Sequence, residues 1–150
     1  VTEELGYDDG VDYKDEPDGE TMTTGQKEAC PNGIDGYFEN VGGYMCDAVM
    51  LRMNAFGRIA LCGMIAGYDG APLPMAHPAL LLLNRIKMEG FIVSEHMEVW
   101  PEALAELGQL VGSGKLRPRE SVAQGIESAP EAFIGLLKGR NFGKQLVKLI

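Results

Sequence analysis

Two apolar runs that each break into glycine constrain this chain most: Gly33-Ile34-Asp35-Gly36-Tyr37-Phe38-Glu39-Asn40-Val41-Gly42-Gly43 and Gly57-Arg58-Ile59-Ala60-Leu61-Cys62-Gly63-Met64. Between them Met45 to Met53 carries Met45, Ala48, Val49, Leu51 and Met53 near helical spacing. Strand (Ile34 to Val41), helix and strand (Arg58 to Met64) joined by a few residues read as β-α-β units on a parallel sheet. In open sheets of this kind ligands bind where the strands end, which here is where glycine appears. The two runs therefore imply half of a nucleotide-binding domain. No G-x-G-x-x-G turn follows a strand before Gly33, so the expectation is the rear part of a longer enzyme.

The remaining elements follow from local signals. Val1 to Gly6 reads as the last turn of a helix running into a glycine stop. Val11-Asp12-Tyr13-Lys14 is a short strand, Asp15 to Gly19 with Pro17 a polar turn, and Thr21 to Cys30 a weak helix. Ala66 to Pro74, with Gly67, Gly70, Pro72 and Pro74, forms a loop that would overhang the ligand crevice. His77-Pro78 opens an apolar helix through Leu80, Leu81, Leu83 and Ile86, and Lys87 to Val93 makes another strand. Pro101 begins an amphipathic helix with Leu104, Leu107, Leu110 and Val111 on one face, ended by Gly112 and Gly114. Ser128-Ala129-Pro130-Glu131 is a capping box for a helix through Phe133, Leu136 and Leu137, and Lys144 to Ile150 is a closing strand.

Charge and cysteine usage narrow the function class. Of the net charge of −9, residues 1–50 hold thirteen acids against Lys14 and Lys27, while residues 51–150 hold nine acids against eleven bases. An acidic front argues against a nucleic-acid partner, and Asp8, Asp9, Asp12, Asp15, Glu16, Asp18 and Glu20 also read simply as a solvated loop. Cys30, Cys46 and Cys62 form no C-x-x-C pair, and around His77 and His96, nineteen residues apart, no acid or cysteine stands at metal-ligand spacing, so no metal is expected. The longest apolar run, Ala79 to Leu83, falls far below the ~20 residues of a membrane span. With no charged-then-apolar leader, a soluble cytoplasmic protein is expected.

Five ordered blocks carry a resemblance. They are Val11-Asp12-Tyr13-Lys14; Gly33-Ile34-Asp35 with Tyr37 to Gly43; Gly57-Arg58-Ile59 with Cys62-Gly63-Met64-Ile65; Met88-Glu89-Gly90-Phe91-Ile92-Val93; and Gly139-Arg140-Asn141-Phe142-Gly143-Lys144. Together they resemble the C-terminal half of zinc-independent medium-chain dehydrogenases/reductases, of the leukotriene B4 12-hydroxydehydrogenase, prostaglandin reductase and curcumin reductase group. The resemblance implies an α/β fold: part of a Rossmann domain (a doubly wound parallel sheet) lacking its first two strands, plus a C-terminal segment of the catalytic domain. Residues 1–98 would belong to the former and residues 99–150 to the latter. It also implies NADPH-dependent reduction of the carbon–carbon double bond of α,β-unsaturated aldehydes and ketones, with hydride delivered to the carbon β to the carbonyl.

The same resemblance assigns roles. Tyr13 would lie near the adenosine 2′-phosphate, Asn40 beside the cofactor, and the strand end Cys62, Gly63, Met64 and Ile65 along the nicotinamide. Tyr68 would bind the substrate carbonyl, since a phenol can donate to an enolate oxygen. Phe91, Ile92 and Val93 would flank the nicotinamide, Asn141 would hydrogen-bond the cofactor, and the strand edge 88–93 would join two subunits of a homodimer. Each residue also has a plainer reading: Tyr13 as a strand tyrosine, Asn40 and Asn141 as turn residues, Tyr68 as a loop anchor, and Phe91 to Val93 as core strand. In the strand order 3-2-1-4-5-6 the chain keeps strands 3, 4, 5 and 6 and lacks the glycine-rich turn that seats the pyrophosphate, so weak NADPH affinity is expected. Two alternatives stand beside the enone reductase: a quinone oxidoreductase of the same superfamily, and a catalytically inactive fragment.

Overall fold

The computed structural model describes residues 1–12, 19–70 and 72–150, which divide into two compact units, Val1–Met97 and Glu98–Ile150. In the first unit α1 (Thr2–Leu5) stops at Gly6, whose left-handed backbone (φ 77°) lets its N–H reach the Thr2 carbonyl. Val11 and Asp12 are not in a strand, and the rest of that expected strand, Tyr13 included, lies outside the described residues, as does Pro17. α2 (Gly19–Ala29) follows and packs on α3 (Gly43–Arg52) with Met22 buried.

Strands β1 (Ile34–Glu39), β2 (Met53–Leu61) and β3 (Lys87–Gly90) form a parallel sheet in the order β1-β2-β3. Parallel pairing demands crossovers; α3 links β1 to β2, and α4 (Ala79–Leu83) lies between β2 and β3. Register places Tyr37, Ile59 and Met88 side by side on one face, and Phe38, Ala60 and Glu89 on the other. The first face carries the core: Cys46, Val49, Met50, Met53, Ile59 and Ile86, with Tyr37, Leu80 and Met88 packed against them.

Boundaries at α3 and β2 move relative to the sequence reading, each for a local reason. α3 begins at Gly43 rather than Met45, and its inner face is Cys46, Val49 and Met50, at i, i+3 and i+4. Leu51, expected inside, is therefore 47% exposed. β2 starts at Met53 and bulges: Met53 pairs with Ile34 but Arg58 with Gly36. Phe56 takes a positive φ of 66° there, its N–H held by the Asn84 carbonyl at 2.7 Å and its ring capped by the Arg85 guanidinium at 4.6 Å.

The strand expected over Lys87 to Val93 ends at Gly90. Phe91 still donates to the Leu61 carbonyl, but the Ile92 N–H turns to the Glu95 carboxylate at 2.8 Å and a 3-10 segment starts at Val93. Ile92 and Val93 are thus exposed rather than core strand residues.

In the second unit α5 (Trp100–Gly112) forms as expected, with Pro101 in its first turn and Gly114 left-handed beyond its end. β4 (Glu120–Gln124) pairs in parallel with β5 (Lys144–Lys148), and α6 (Ala129–Leu137) makes the crossover. The sequence reading had no strand at β4, whose Glu-Ser-Val-Ala-Gln composition gives too weak an alternation. The capping box at α6 does not close. Ser128 is itself helical and its hydroxyl donates to the Gly125 carbonyl at 2.8 Å, so no side chain caps the first turn.

Candidate functional site

At the carboxyl edge of the sheet the ends of β1 and β2 are laced together by backbone hydrogen bonds. The Glu39 carbonyl accepts from both Cys62 and Gly63 at 2.9 and 3.1 Å, which ends the regular ladder. Asn40 and Val41 carbonyls then accept from Ile65 and Ala66, each at 3.0 Å, and the Tyr68 N–H closes a 3-10 turn onto the Ile65 carbonyl. The loop 62–68 is therefore set by the backbone of residues 39–41.

This lacing brings two of the expected site side chains to one point. A methyl group built on Gly63 would stand 3.3 Å from the Asn40 carbonyl oxygen, 3.4 Å from Tyr68 Oη and 3.5 Å from Asn40 Oδ1. Glycine here keeps open the small space over which the Asn40 amide and the Tyr68 phenol converge. Both side chains are exposed, as are Cys62, Met64 and Ile65 on the same segment. An opening bounded by a phenol, an amide and bare backbone can accept a planar polar ring edge and donate to a carbonyl oxygen.

Beneath it lies Glu39, fully buried. Its Oε1 accepts from the N–H groups of Val41 and Gly42, so the positive end of α3 is already matched by a carboxylate. Oε2 of Glu39 is buried and makes no well-formed hydrogen bond, while the Tyr37 phenol and the Cys46 thiol are polar neighbours of the carboxylate as a whole. Burial first, and Glu39 second, push the Tyr37 hydroxyl well above its ordinary range and the Cys46 thiol up to about 12. Both stay protonated near neutrality.

The Phe91 ring packs tilted against Phe38, centroids 6.1 Å apart and planes inclined at 53°, on the sheet face opposite Tyr37 and Glu39. Asn141 belongs to the second unit, where its side-chain N–H donates to the Gly143 carbonyl at 2.7 Å beside Ser121, Arg140 and Gln145. Tyr13 is outside the described residues. Glu39 was passed over in the sequence, although an acid on the last position of an apolar strand, just before Gly42-Gly43, is the signal for it. Among the described residues no cluster of three or more His, Cys, Asp or Glu could hold a metal ion, and no helix is long and apolar enough to cross a membrane.

A family model described as zinc-binding dehydrogenase matches residues 5–147. The chain belongs to the zinc-binding dehydrogenase family. Within this family it is 44% identical over 144 residues to the NADP(+)-dependent 2-alkenal reductase of Nicotiana tabacum, covering 95% of this chain and 41% of the relative. It is 39% identical over 156 residues to the NADPH-dependent curcumin reductase of Escherichia coli strain K12, covering 99% and 44%. The crystal structure of CurA from Vibrio vulnificus in complex with NADPH superposes with a TM-score of 0.84 at 43% identity, over 97% of this chain and 44% of that one. The chain therefore spans under half the length of the relatives it matches. The medium-chain dehydrogenase/reductase resemblance and the parallel α/β fold stand on these matches.

Proposed function

We propose that this dehydrogenase-family chain forms the nicotinamide-side half of an NADPH-dependent reductase acting on the carbon–carbon double bond of α,β-unsaturated aldehydes and ketones. The observation that carries the reading is the convergence of Asn40 and Tyr68 over Gly63 at the strand ends. The reductases among its relatives support the substrate class.

NADPH, when bound, supplies the hydride that adds to the carbon β to the carbonyl. As that carbon gains the hydride, electron density moves to the carbonyl oxygen, and the α carbon then takes a proton. The Tyr68 hydroxyl donates a hydrogen bond to this developing oxyanion. Asn40 orients the nicotinamide edge, and Cys62, Gly63, Met64 and Ile65 form the wall along it. Because a phenol serves the oxyanion, the chemistry asks for no zinc. On this reading residues 1–98 hold the cofactor and residues 99–150 return to the catalytic domain. Tyr13 meets the adenosine 2′-phosphate, Phe91, Ile92 and Val93 flank the nicotinamide, and Asn141 binds the cofactor. The same reading makes the enzyme cytoplasmic and dimeric through the edge 88–93.

The test is a fluorescence titration of the purified chain with NADPH, following cofactor emission and Trp100, with NADH as control and circular dichroism to establish folding. Saturable NADPH-selective binding, followed by NADPH consumption with an enal and formation of the saturated carbonyl, supports the reading. Turnover of a quinone without the enal would move the assignment to a quinone oxidoreductase. A folded chain that binds neither cofactor refutes the reading for this chain.

A further inference from the structure

We propose that Glu39 is the positioning residue of this site: its buried carboxylate sets the backbone that brings Asn40 and Tyr68 together. The inference deepens the proposed reductase reading and rests on it for its catalytic consequence. The geometry forms a chain of dependence. Glu39 Oε1 holds the Val41 and Gly42 N–H groups, which fixes the turn out of β1 and the positive φ of Gly42 (81°) and Gly43 (62°). The carbonyls of residues 39, 40 and 41, held by that turn, accept in order from Cys62 and Gly63, Ile65, and Ala66. Tyr68 hangs from the last turn of this loop through its bond to Ile65. Displacing the Val41-Gly42 amides therefore moves Asn40 directly and Tyr68 through the loop.

A structural strand-end acid would be expected to face water, yet Glu39 is 0% exposed. A buried carboxylate with one oxygen saturated and the other lacking a well-formed partner is costly unless the geometry it enforces is needed. It also lines a cavity of about 60 Å³ together with Cys46, Leu61, Met64 and Met88. Glutamine should fit the same space: it keeps an acceptor at the Oε1 position and turns an amide toward Tyr37 and Cys46. Aspartate, one methylene shorter, keeps the charge but cannot reach the same amides.

The experiment compares Glu39→Gln, Glu39→Ala and Glu39→Asp in the isotope-labelled chain by NMR, with NADPH titration and enal reduction alongside. In Glu39→Ala, amide exchange at Ile65 and Ala66 should quicken roughly ten- to a hundredfold, the loss of a buried charged hydrogen bond expressed as an opening equilibrium. Nuclear Overhauser contacts from the Tyr68 ring to Gly63 and Asn40 should vanish while Met50 and Ile59 signals hold. Glu39→Gln should keep both. In the reduction assay kcat should fall about a hundredfold in Glu39→Ala with little change in KM for NADPH, as expected for misplaced rather than missing groups.

If Glu39→Ala keeps the Tyr68 contacts and exchange rates, the proposal is overturned. It is equally overturned if Glu39→Gln loses them while folded. Should Glu39→Ala fail to fold, Glu39→Asp decides: lost Tyr68 contacts in a folded chain support the role, retained ones refute it. Because the NMR readout needs no cofactor, a wild-type chain that binds no NADPH would sink the reductase reading while leaving this measurement decisive for Glu39.

Discussion

Replacing Gly42 by alanine tests the strand-end geometry with a single methyl group. Gly42 sits at φ 81°, ψ −169°, a region that only glycine occupies without strain. Forcing an L residue there costs about 1–3 kcal/mol. The methyl would also stand 2.9 Å from Leu73 Cδ1, a contact that the flexible end of that side chain can relieve by moving. Against this, alanine reduces the freedom of the unfolded chain by ~0.4–1 kcal/mol. The net loss is about 1–2 kcal/mol, a fall of roughly 5–15 °C in the midpoint of a unit this size. Escape to a negative φ is blocked, because with the Gly42 N–H held by Glu39 it would swing the start of α3 out of place.

The control is the same change at Gly108, inside α5, where a built methyl meets nothing within 4 Å. There alanine should stabilise by roughly 0.5–1 kcal/mol. Urea titrations read the first unit through NMR intensities of Ile59 and the second through Trp100 fluorescence. Opposite signs for the two substitutions are expected. A Gly42→Ala protein within ~0.5 kcal/mol of wild type would show that the turn relaxes freely and is not a determinant of the site.

Four further outcomes follow from the same geometry. Tyr68→Phe, at a side chain 67% exposed, should leave the melting midpoint unchanged but lower kcat for enal reduction about 10²–10³-fold; an unchanged rate would mean another group serves the carbonyl oxygen. Met50→Ala, at a fully buried core position, should destabilise by about 2–5 kcal/mol in denaturant titration, and a loss under ~1 kcal/mol would contradict the packing described. For the thiols, Cys62 should alkylate readily in the folded chain at pH 8 and Cys46 only on unfolding, as mass spectrometry of labelled peptides would read. Burial raises the Cys46 thiol from 9.0 to about 12, so its contribution to stability is complete below pH 9 and fades as pH rises toward 12; a midpoint indifferent to pH across that window in wild type, relative to Cys46→Ala, would refute the shift.

Much of the architecture was legible in residue order because it depends on short-range patterns. The glycine stops after β1 and around β2, the helical spacing of Met45, Ala48 and Val49, and Pro101 in the first turn of α5 are all local constraints. So is the α/β alternation that leads to parallel pairing. Asn40 and Tyr68 could be named in advance from resemblance, but not their convergence over Gly63, which depends on hydrogen bonds between segments more than twenty residues apart. Three other features turned on hydrogen-bond partners, two of them local and one, the β4–β5 pairing, between distant segments. The N–H of Ile92 found the Glu95 carboxylate and ended β3 early. β4 became a strand because β5 offered a parallel neighbour, despite weak propensity. Ser128 gave its hydroxyl to the Gly125 carbonyl and so never capped α6.

Sequence by itself determined which segments could be strands, helices and glycine turns, since those follow from backbone sterics and side-chain spacing. Only the tertiary structure decided that Glu39 lies buried under the crevice with its carboxylate on the Val41 and Gly42 amides, because burial and hydrogen-bond partnership are properties of packed neighbours rather than of residue type.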